Sequence, residues 1–337
     1  MENSVYIIAE LSANHNNDLA LAKQTIKAIK ESGADAVKFQ TYTADSMTLD
    51  INGVDFEANP EGIWAGKKLY DLYTDASLPY EWHKELADYA MSLGLEWLSS
   101  PFDKAAVDFL ETLDCPKYKI ASFEIQDIPL IEYTASKGKP MIISTGIALK
   151  EDIELAIDTC KKAGNNNITI LKCTTAYPAP YEEINLNTIP LFQKEFDVKV
   201  GLSDHTMGSV VPMGAVAFGA QVVEKHFILD RDLGGADSSF SMNPEEFKFM
   251  VDSIRNLEKA LGIATFDLTS KTVMSRTRGR SLYVSQDVKR GDVLTLKNIR
   301  SIRPGFGLHP KFLKEVLGKK FSSNYEKGTP LSFEQLD

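Results

Sequence analysis

Short apolar runs rich in β-branched residues recur through the first three quarters of the chain, at residues 5–10, 34–40, 95–100, 117–122, 140–145, 168–173, 198–204 and 221–227. Each is almost continuously apolar, as a strand covered on both faces of a parallel sheet should be. Between them lie segments with apolar residues at three- and four-residue steps, notably 19–33, 79–94 and 150–164. Each of these ends in a glycine (Gly33, Gly94, Gly164) placed to cap a helix. Eight strands alternating with helices predict an α/β fold, a (β/α)8 TIM barrel; an open doubly wound sheet is the alternative, and eight is the count that closes. Residues 43–78 break the rhythm and predict a long loop over the barrel mouth. After about residue 262 the pattern changes again. A polar, locally basic stretch leads into short β-like pieces separated by the turn signals KRGD and RPGFG. The expected organisation is a catalytic barrel over 1–265, a linker over 266–281 and a small β-rich domain over 282–337.

Composition narrows the partners. The net charge of −10 and pI near 5.2 argue against nucleic acid, although a few lysines can still make a local anion pocket. The three cysteines, Cys115, Cys160 and Cys173, form no CxxC pair, so neither a zinc ribbon nor a disulfide framework is indicated. The start, MENSVYIIAE, lacks the basic region of a signal peptide, and no run approaches the about 18 apolar residues of a membrane helix. A cytoplasmic protein with no membrane contact is expected.

The active site of a barrel of this type lies at the C-terminal ends of its strands. Those ends are unusually polar here: Glu10 with Asn14 and His15 beyond it, Lys38 and Gln40, Ser99 and Ser100, Lys119, Ser122 and Glu124, Ser144 and Thr145, Lys172 with Thr174 and Thr175, Ser203 to His205, and Glu224 to His226. Lys38 and Lys119 sit inside apolar runs, where a lysine is costly without a negative partner. They are read either as partners of buried carboxylates or as a phosphate or carboxylate clamp assisted by Ser122 and Ser144. His205 and His226 end the seventh and eighth strands, near enough to share one ion, with Asp204, Glu224 and Glu10 as surrounding carboxylates. Nitrogen ligands suit manganese, iron, cobalt or zinc. Glu10 and Glu124 are candidates for general base or water positioning, with salt bridging to a lysine as the plain alternative. His83 is read as structural, and His15, just beyond the first strand, as a residue facing the site.

Taken in order, IIAELSANHNNDL, DAVKFQTY, SSPFD, ISTGIA, KCTTAYP, GLSDHT, EKHF and SMNPEEF resemble the sialic acid synthase family, and RSLYVSQDVKRGDVL with RPGFGLHP resembles its antifreeze-like (SAF) domain. The resemblance spans essentially the whole chain. It implies a transferase that condenses phosphoenolpyruvate with a sugar aldehyde and water, yielding a nine-carbon 2-keto acid and phosphate. It implies His205 and His226 as ligands of a divalent metal, usually manganese, with magnesium or cobalt as alternatives. Lys38, Lys119, Ser122, Ser144 and Ser203 match the phosphoenolpyruvate set, Glu10 and Glu124 the two acids, and Asp237 a sugar contact. Ser100, Thr175 and Tyr177 join the expected substrate contacts. Arg303 resembles an arginine that reaches the partner's site in a domain-swapped homodimer. Thr175 stands where members forming N-acetylneuraminate typically carry Asn, which fits a different sugar. The expected acceptor is a 6-deoxy altrose bearing two acetamido groups; N-acetylmannosamine and the legionaminic precursor are the alternatives. From another class, a non-catalytic carbohydrate- or ice-binding protein is suggested only by the SAF-like segment.

Overall fold

The computed structural model describes residues 4–337. The chain divides into two compact units, residues 1–262 and 263–337. In the first, eight parallel strands close into a barrel in chain order: β1 (Tyr6–Glu10), β2 (Ala36–Thr41), β3 (Glu96–Pro101), β4 (Tyr118–Ile120), β5 (Met141–Ser144), β6 (Ile168–Cys173), β7 (Lys199–Asp204) and β8 (Val222–His226). A helix follows each strand before the next, from Leu19–Glu31 after β1 to Pro244–Leu261 after β8. The predicted α/β barrel is therefore the fold observed, and the open sheet is excluded by the β1–β8 pairing.

Local signals set the helix ends. Asp18 accepts hydrogen bonds from the backbone N–H groups of Ala20 and Leu21, and the chain leaves that helix at Gly33 with φ of 86°, a conformation that favours glycine. Asn243 and Glu246 form a reciprocal capping box at the start of the last barrel helix.

Strand parity then sorts the side chains. Outward residues pack beneath the helices in one large core. Inward residues Ile8, Ala36, Leu98, Ile142, Leu171 and Val222 form a separate apolar layer inside the barrel. Burying each large aliphatic there contributes roughly 1.5–3 kcal/mol, so the barrel interior is a solid floor and not a pore. At the β7–β8 seam only glycine fits: a Cβ on Gly201 would stand 2.5 Å from the Val222 carbonyl oxygen.

Residues 43–78 depart from the expected loop. They contain helices Ala44–Met47 and Leu69–Ala76, a 3-10 turn Val54–Phe56, and a bridge between Glu57 and Lys68. The longer helix spans eight residues and fully buries only Leu72, too short a stretch for periodicity to declare itself.

In the second unit, β9 (Ser281–Val284) and β10 (Ile299–Ile302) pair antiparallel. Leu282, Val284, Val288, Leu294, Ile299, Val316, Phe321 and Leu331 form its own core. The polar stretch before it, read as a linker, carries an exposed helix, Ser270–Arg276, capped by Thr269. Among the described residues no helix is long and apolar enough to cross a membrane.

Candidate active site

Above the apolar floor the inward strand residues turn polar. Glu10, Lys38, Lys119, Ser144, Cys173, Ser203, Glu224, His205 and His226 all line one cavity of about 560 Å³ at the C-terminal end of the barrel. The reason is parity. Tyr6, Ile8 and Glu10 share a strand face, as do Ala36 and Lys38, and Val222, Glu224 and His226, so each polar tip stands directly above an apolar floor residue.

The floor of the cavity is an ion-pair network. Lys38 Nζ lies 2.8 Å from Glu10 Oε2 and 2.8 Å from Glu224 Oε1. Lys119 Nζ lies 3.4 Å from the same Glu224 oxygen. Gln40 donates to Glu10 Oε1 at 2.8 Å, and Ser203 Oγ donates to Glu224 Oε1 at 3.1 Å. Burial alone would raise the Glu10 carboxyl, but Lys38 and then His226 outweigh it and hold it well below the usual carboxylate range. Glu224 is likewise held low, with Lys119 and Lys38 overcoming its burial. Burial would also lower Lys38, yet Glu10 and Glu224 raise it. Lys119 goes the other way: burial dominates, and its one carboxylate partner compensates only in part. Glu124 has no carboxylate-stabilising network, and burial pushes its carboxyl up to about 7 against the weaker pull of Lys119.

The two histidines face the same cavity with ring centroids 5.3 Å apart. His205 Nδ1 donates to the Thr174 carbonyl at 3.0 Å, so in the neutral ring the lone pair sits on Nε2. Burial would lower the His205 imidazolium, but the Cys173 thiol beside it outweighs burial and raises it. His226 Nε2 lies 3.3 Å from Glu10 Oε2, and its buried Nδ1 has no hydrogen-bond partner. Burial lowers the His226 imidazolium, so the ring is neutral and able to donate a lone pair. Each ring thus has one nitrogen oriented by the protein and one free, the arrangement a metal-binding imidazole requires. Among the described residues no group of three or more His, Cys, Asp or Glu is placed to hold an ion.

A third side of the cavity comes from the loop after β8. Asp237 accepts from Ser12 Oγ and from the Ala13 backbone N–H at 3.4 Å, and its Oδ2 lies 3.7 Å from His226 Nδ1. Phe240 packs edge-on against His226 at 4.9 Å, and Tyr177 packs at a tilt against His205 at 4.4 Å.

The cavity brings together Glu10, Lys38, Lys119, Ser122, Glu124, Ser144, Tyr177, Ser203, His205, His226 and Asp237 from the expected set. Ser100 faces the barrel interior beside Gln40 but does not line the cavity, and its buried Oγ has no partner. Thr175 turns instead to the Gly146 carbonyl at 3.3 Å. Arg303 is exposed on the C-terminal unit. Two readings are corrected. Asp204 is not one of the carboxylates around the histidines: it faces outward and pairs with Lys225 at 2.6 Å, because it sits one residue out of phase with His205. His15 does not face the cavity; it packs edge-on against Trp82, and its Nδ1 accepts from the Asn17 backbone. His83 is structural as expected, bonded to Thr41 Oγ1 at 2.9 Å. Glu224, expected only as a carboxylate near the histidines, is the centre of the network, and its parity with His226 is the sequence signal that points it inward. Ser12, with φ of 47°, and Phe240 carried no such signal.

The NeuB family pattern matches residues 25–265, and the SAF domain pattern matches residues 279–337. The chain belongs to the NeuB family. It is 48% identical over 332 residues to the pseudaminic acid synthase of Helicobacter pylori, covering 98% of this chain and 97% of that one. It is 47% identical over 330 residues to the pseudaminic acid synthase of Campylobacter jejuni subsp. jejuni, covering 98% and 96%. The N,N'-diacetyllegionaminic acid synthase of Legionella pneumophila is more distant, at 38% identity with 98% and 94% covered. Among solved structures, the N-acetylneuraminic acid synthetase of Leptospira borgpetersenii in complex with citrate superposes with a TM-score of 0.73 at 29% identity, covering 81% of this chain and 90% of that one. The expected membership in the sialic acid synthase group is borne out.

Proposed function

We propose that this cavity condenses phosphoenolpyruvate with an open-chain 6-deoxy sugar carrying two acetamido groups, giving pseudaminic acid and phosphate by C–O cleavage. The observation that carries the reading is the opposition, in one cavity, of paired lysines on the floor and two imidazoles with free nitrogens. The 46–48% identity to pseudaminic acid synthases, against 37–38% for the legionaminic enzymes, supports the choice of acceptor.

Charge supports a bound cation. Four carboxyl groups (Glu10, Glu124, Glu224, Asp237), of which Glu124 is raised to about 7, face only two ammonium groups (Lys38, Lys119) in the cavity. An anionic substrate entering that surplus needs compensation. A divalent ion held by His205 and His226, manganese in this reading with magnesium or cobalt as alternatives, supplies Lewis-acid polarisation of the aldehyde oxygen.

The remaining work falls to side chains. Lys38 and Lys119, with the hydroxyls of Ser122, Ser144 and Ser203, bind the phosphate and carboxylate of phosphoenolpyruvate. That places C3 toward the histidines, where it attacks the aldehyde carbon. Positive charge then develops at C2, above the anionic pair Glu10 and Glu224. Glu124, poised near neutrality, orients the water that adds to C2 and accepts its proton. The tetrahedral carbon expels phosphate, which the lysines receive. Glu10 stays ionised throughout and orients Lys38 and His226. Asp237 and Tyr177 contact the sugar, and holding both substrates in one site supplies much of the acceleration.

The rest of the reading follows the family. Residues 1–265 form the catalytic domain, 266–281 the linker and 282–337 the SAF domain. Arg303 completes the partner's site in a domain-swapped homodimer, where its charge would offset the same carboxylate surplus. The protein works in the cytoplasm.

The test is phosphate release from phosphoenolpyruvate with manganese and a panel of sugars. Turnover of the 6-deoxy diacetamido sugar and not of N-acetylmannosamine is expected. Turnover of neither, with metal bound, overturns the reading. His205→Ala and His226→Ala should each weaken manganese binding in titration calorimetry; unchanged affinity in the double variant removes the metal role.

A further inference from the structure

The parity that builds the cavity floor continues one step above it. Lys38, Gln40 and Tyr42 follow one another on the inward face of β2 and the residue just past its end, and all three line the cavity. Lys38 is engaged by Glu10 and Glu224, and Gln40 by Glu10. Tyr42, the outermost of the three, is only 4% exposed. From the insertion over 43–78, Tyr73 enters the same cavity on the helix Leu69–Ala76. Asn59 comes with it, but its side-chain oxygen already accepts from the Glu61 N–H at 3.0 Å. The Tyr42 and Tyr73 rings meet edge-on at 6.2 Å. Among the described residues neither hydroxyl has a hydrogen-bond partner, whereas Tyr6, Tyr70 and Tyr133, outside the cavity, donate to Glu96, Asp45 and Asp108. Burial, and then the charge of Asp237, raises the Tyr42 phenol; burial, and then Glu124, raises that of Tyr73. Both are therefore neutral O–H donors near pH 7. Asp237 also lies 3.7 Å from His226 Nδ1, so the tyrosine pair borders the histidine half of the cavity, above the lysines.

We infer that Tyr42 and Tyr73 form a donor pair that holds one acetamido carbonyl of the acceptor, with Phe102 receiving the acetamido methyl. The inference rests on the acceptor reading above and adds the residues that recognise the amide. The chemistry of the lining selects this group. Phosphoenolpyruvate is anionic, and the ammonium and serine groups of the floor already match it. What two free phenols lack is an acceptor, and an amide oxygen carries two lone pairs for two donors. An acetamido group is also apolar at its other end. The wall beside the tyrosines is apolar in the same way: Tyr42 packs edge-on against Phe102 at 5.2 Å, and Phe102 and Met47 both line the cavity. A sugar with a hydroxyl in place of that acetamido group would leave buried donors without their carbonyl, and a site built to hydrogen-bond a substrate group discriminates against its loss. Neither tyrosine suffices alone, because one comes from a barrel strand and the other from the insertion. The helix Leu69–Ala76 is what carries Tyr73 to Tyr42.

The experiment measures kcat/KM in the full-length enzyme, in Tyr42→Phe and in Tyr73→Phe. The sugars are the 6-deoxy diacetamido sugar and two analogues, each with a hydroxyl in place of one acetamido group. An analogue that is not turned over is measured as a competitive inhibitor. Phenylalanine keeps the ring and removes only the hydroxyl, so the packing on Phe102 is retained. On the diacetamido sugar each variant should lose about 5- to 100-fold, chiefly as a higher KM for the sugar, while KM for phosphoenolpyruvate and manganese affinity stay within about twofold of wild type. The loss should vanish in both variants on the same analogue, the one lacking the acetamido group that the pair holds, and persist on the other. Any other pattern across the two analogues overturns the inference, as does wild-type behaviour of either variant on the diacetamido sugar; the condensation reading then stands. A raised KM for phosphoenolpyruvate also overturns it, because the pair would then serve the other substrate. Failure of the wild type to use the diacetamido sugar overturns the acceptor reading itself, and the inference with it.

Discussion

Lys38 shows how much a single side chain can organise. It is buried and bridges two carboxylates that would otherwise repel each other. Lys38→Met should therefore cost about 3–5 kcal/mol, measured by denaturant unfolding, because Glu10 and Glu224 are left as buried uncompensated charges. Adding Glu224→Leu should recover part of that loss. Glu124 behaves oppositely. Its carboxyl is raised from an ordinary 4.5 to about 7, so the folded state binds its proton more tightly than the unfolded chain. Its contribution to stability is full below pH 4.5 and is lost as pH rises toward 7. Glu124→Gln should accordingly gain in Tm over wild type as pH goes from about 4.5 to 7, in the unliganded enzyme; a constant difference across that window would contradict the raised pKa. The two glutamates that the sequence could not tell apart are thus separated by their surroundings, one pinned by an ammonium and one left in a poorly solvated wall.

At the level of elements, the seam between β7 and β8 matters most, because it sets the distance between the two histidines. Gly201 allows these strands to approach, and a Cβ there would meet both the Val222 backbone and the Leu171 side chain. Gly201→Ala should destabilise the barrel by about 1–3 kcal/mol in thermal unfolding and weaken manganese binding at the same time. Retained affinity alongside lower stability would show that His205 and His226 are held by their own hydrogen bonds and not by the seam. The insertion over 43–78 is the second decisive element. Its apolar content was visible in the sequence, but its helices were not, because an eight-residue segment completes barely two turns.

For the whole molecule, the barrel has a core of its own and so does the C-terminal unit. A chain ending near residue 265 should keep the helical and strand circular dichroism of the barrel and still bind manganese, yet lose sugar turnover. Full turnover in that truncation would remove any role for Arg303 in the site. Sedimentation of the intact chain as a dimer is the companion expectation.

The sequence by itself determined the alternation of strands and helices, and through it the barrel, because a parallel strand must be apolar on both faces. It also determined which strand ends are polar, and parity alone could have assigned Glu224 inward and Asp204 outward. The tertiary structure decided what parity cannot express. Closure brought β1 beside β8, so that Glu10 touches His226 across more than two hundred residues. Loop packing turned His15 away and folded Asp237, Phe240 and Trp64 over the mouth. The protonation of Glu124 was settled there too, since a pKa depends on the water and charge around a group and not on its neighbours in the chain.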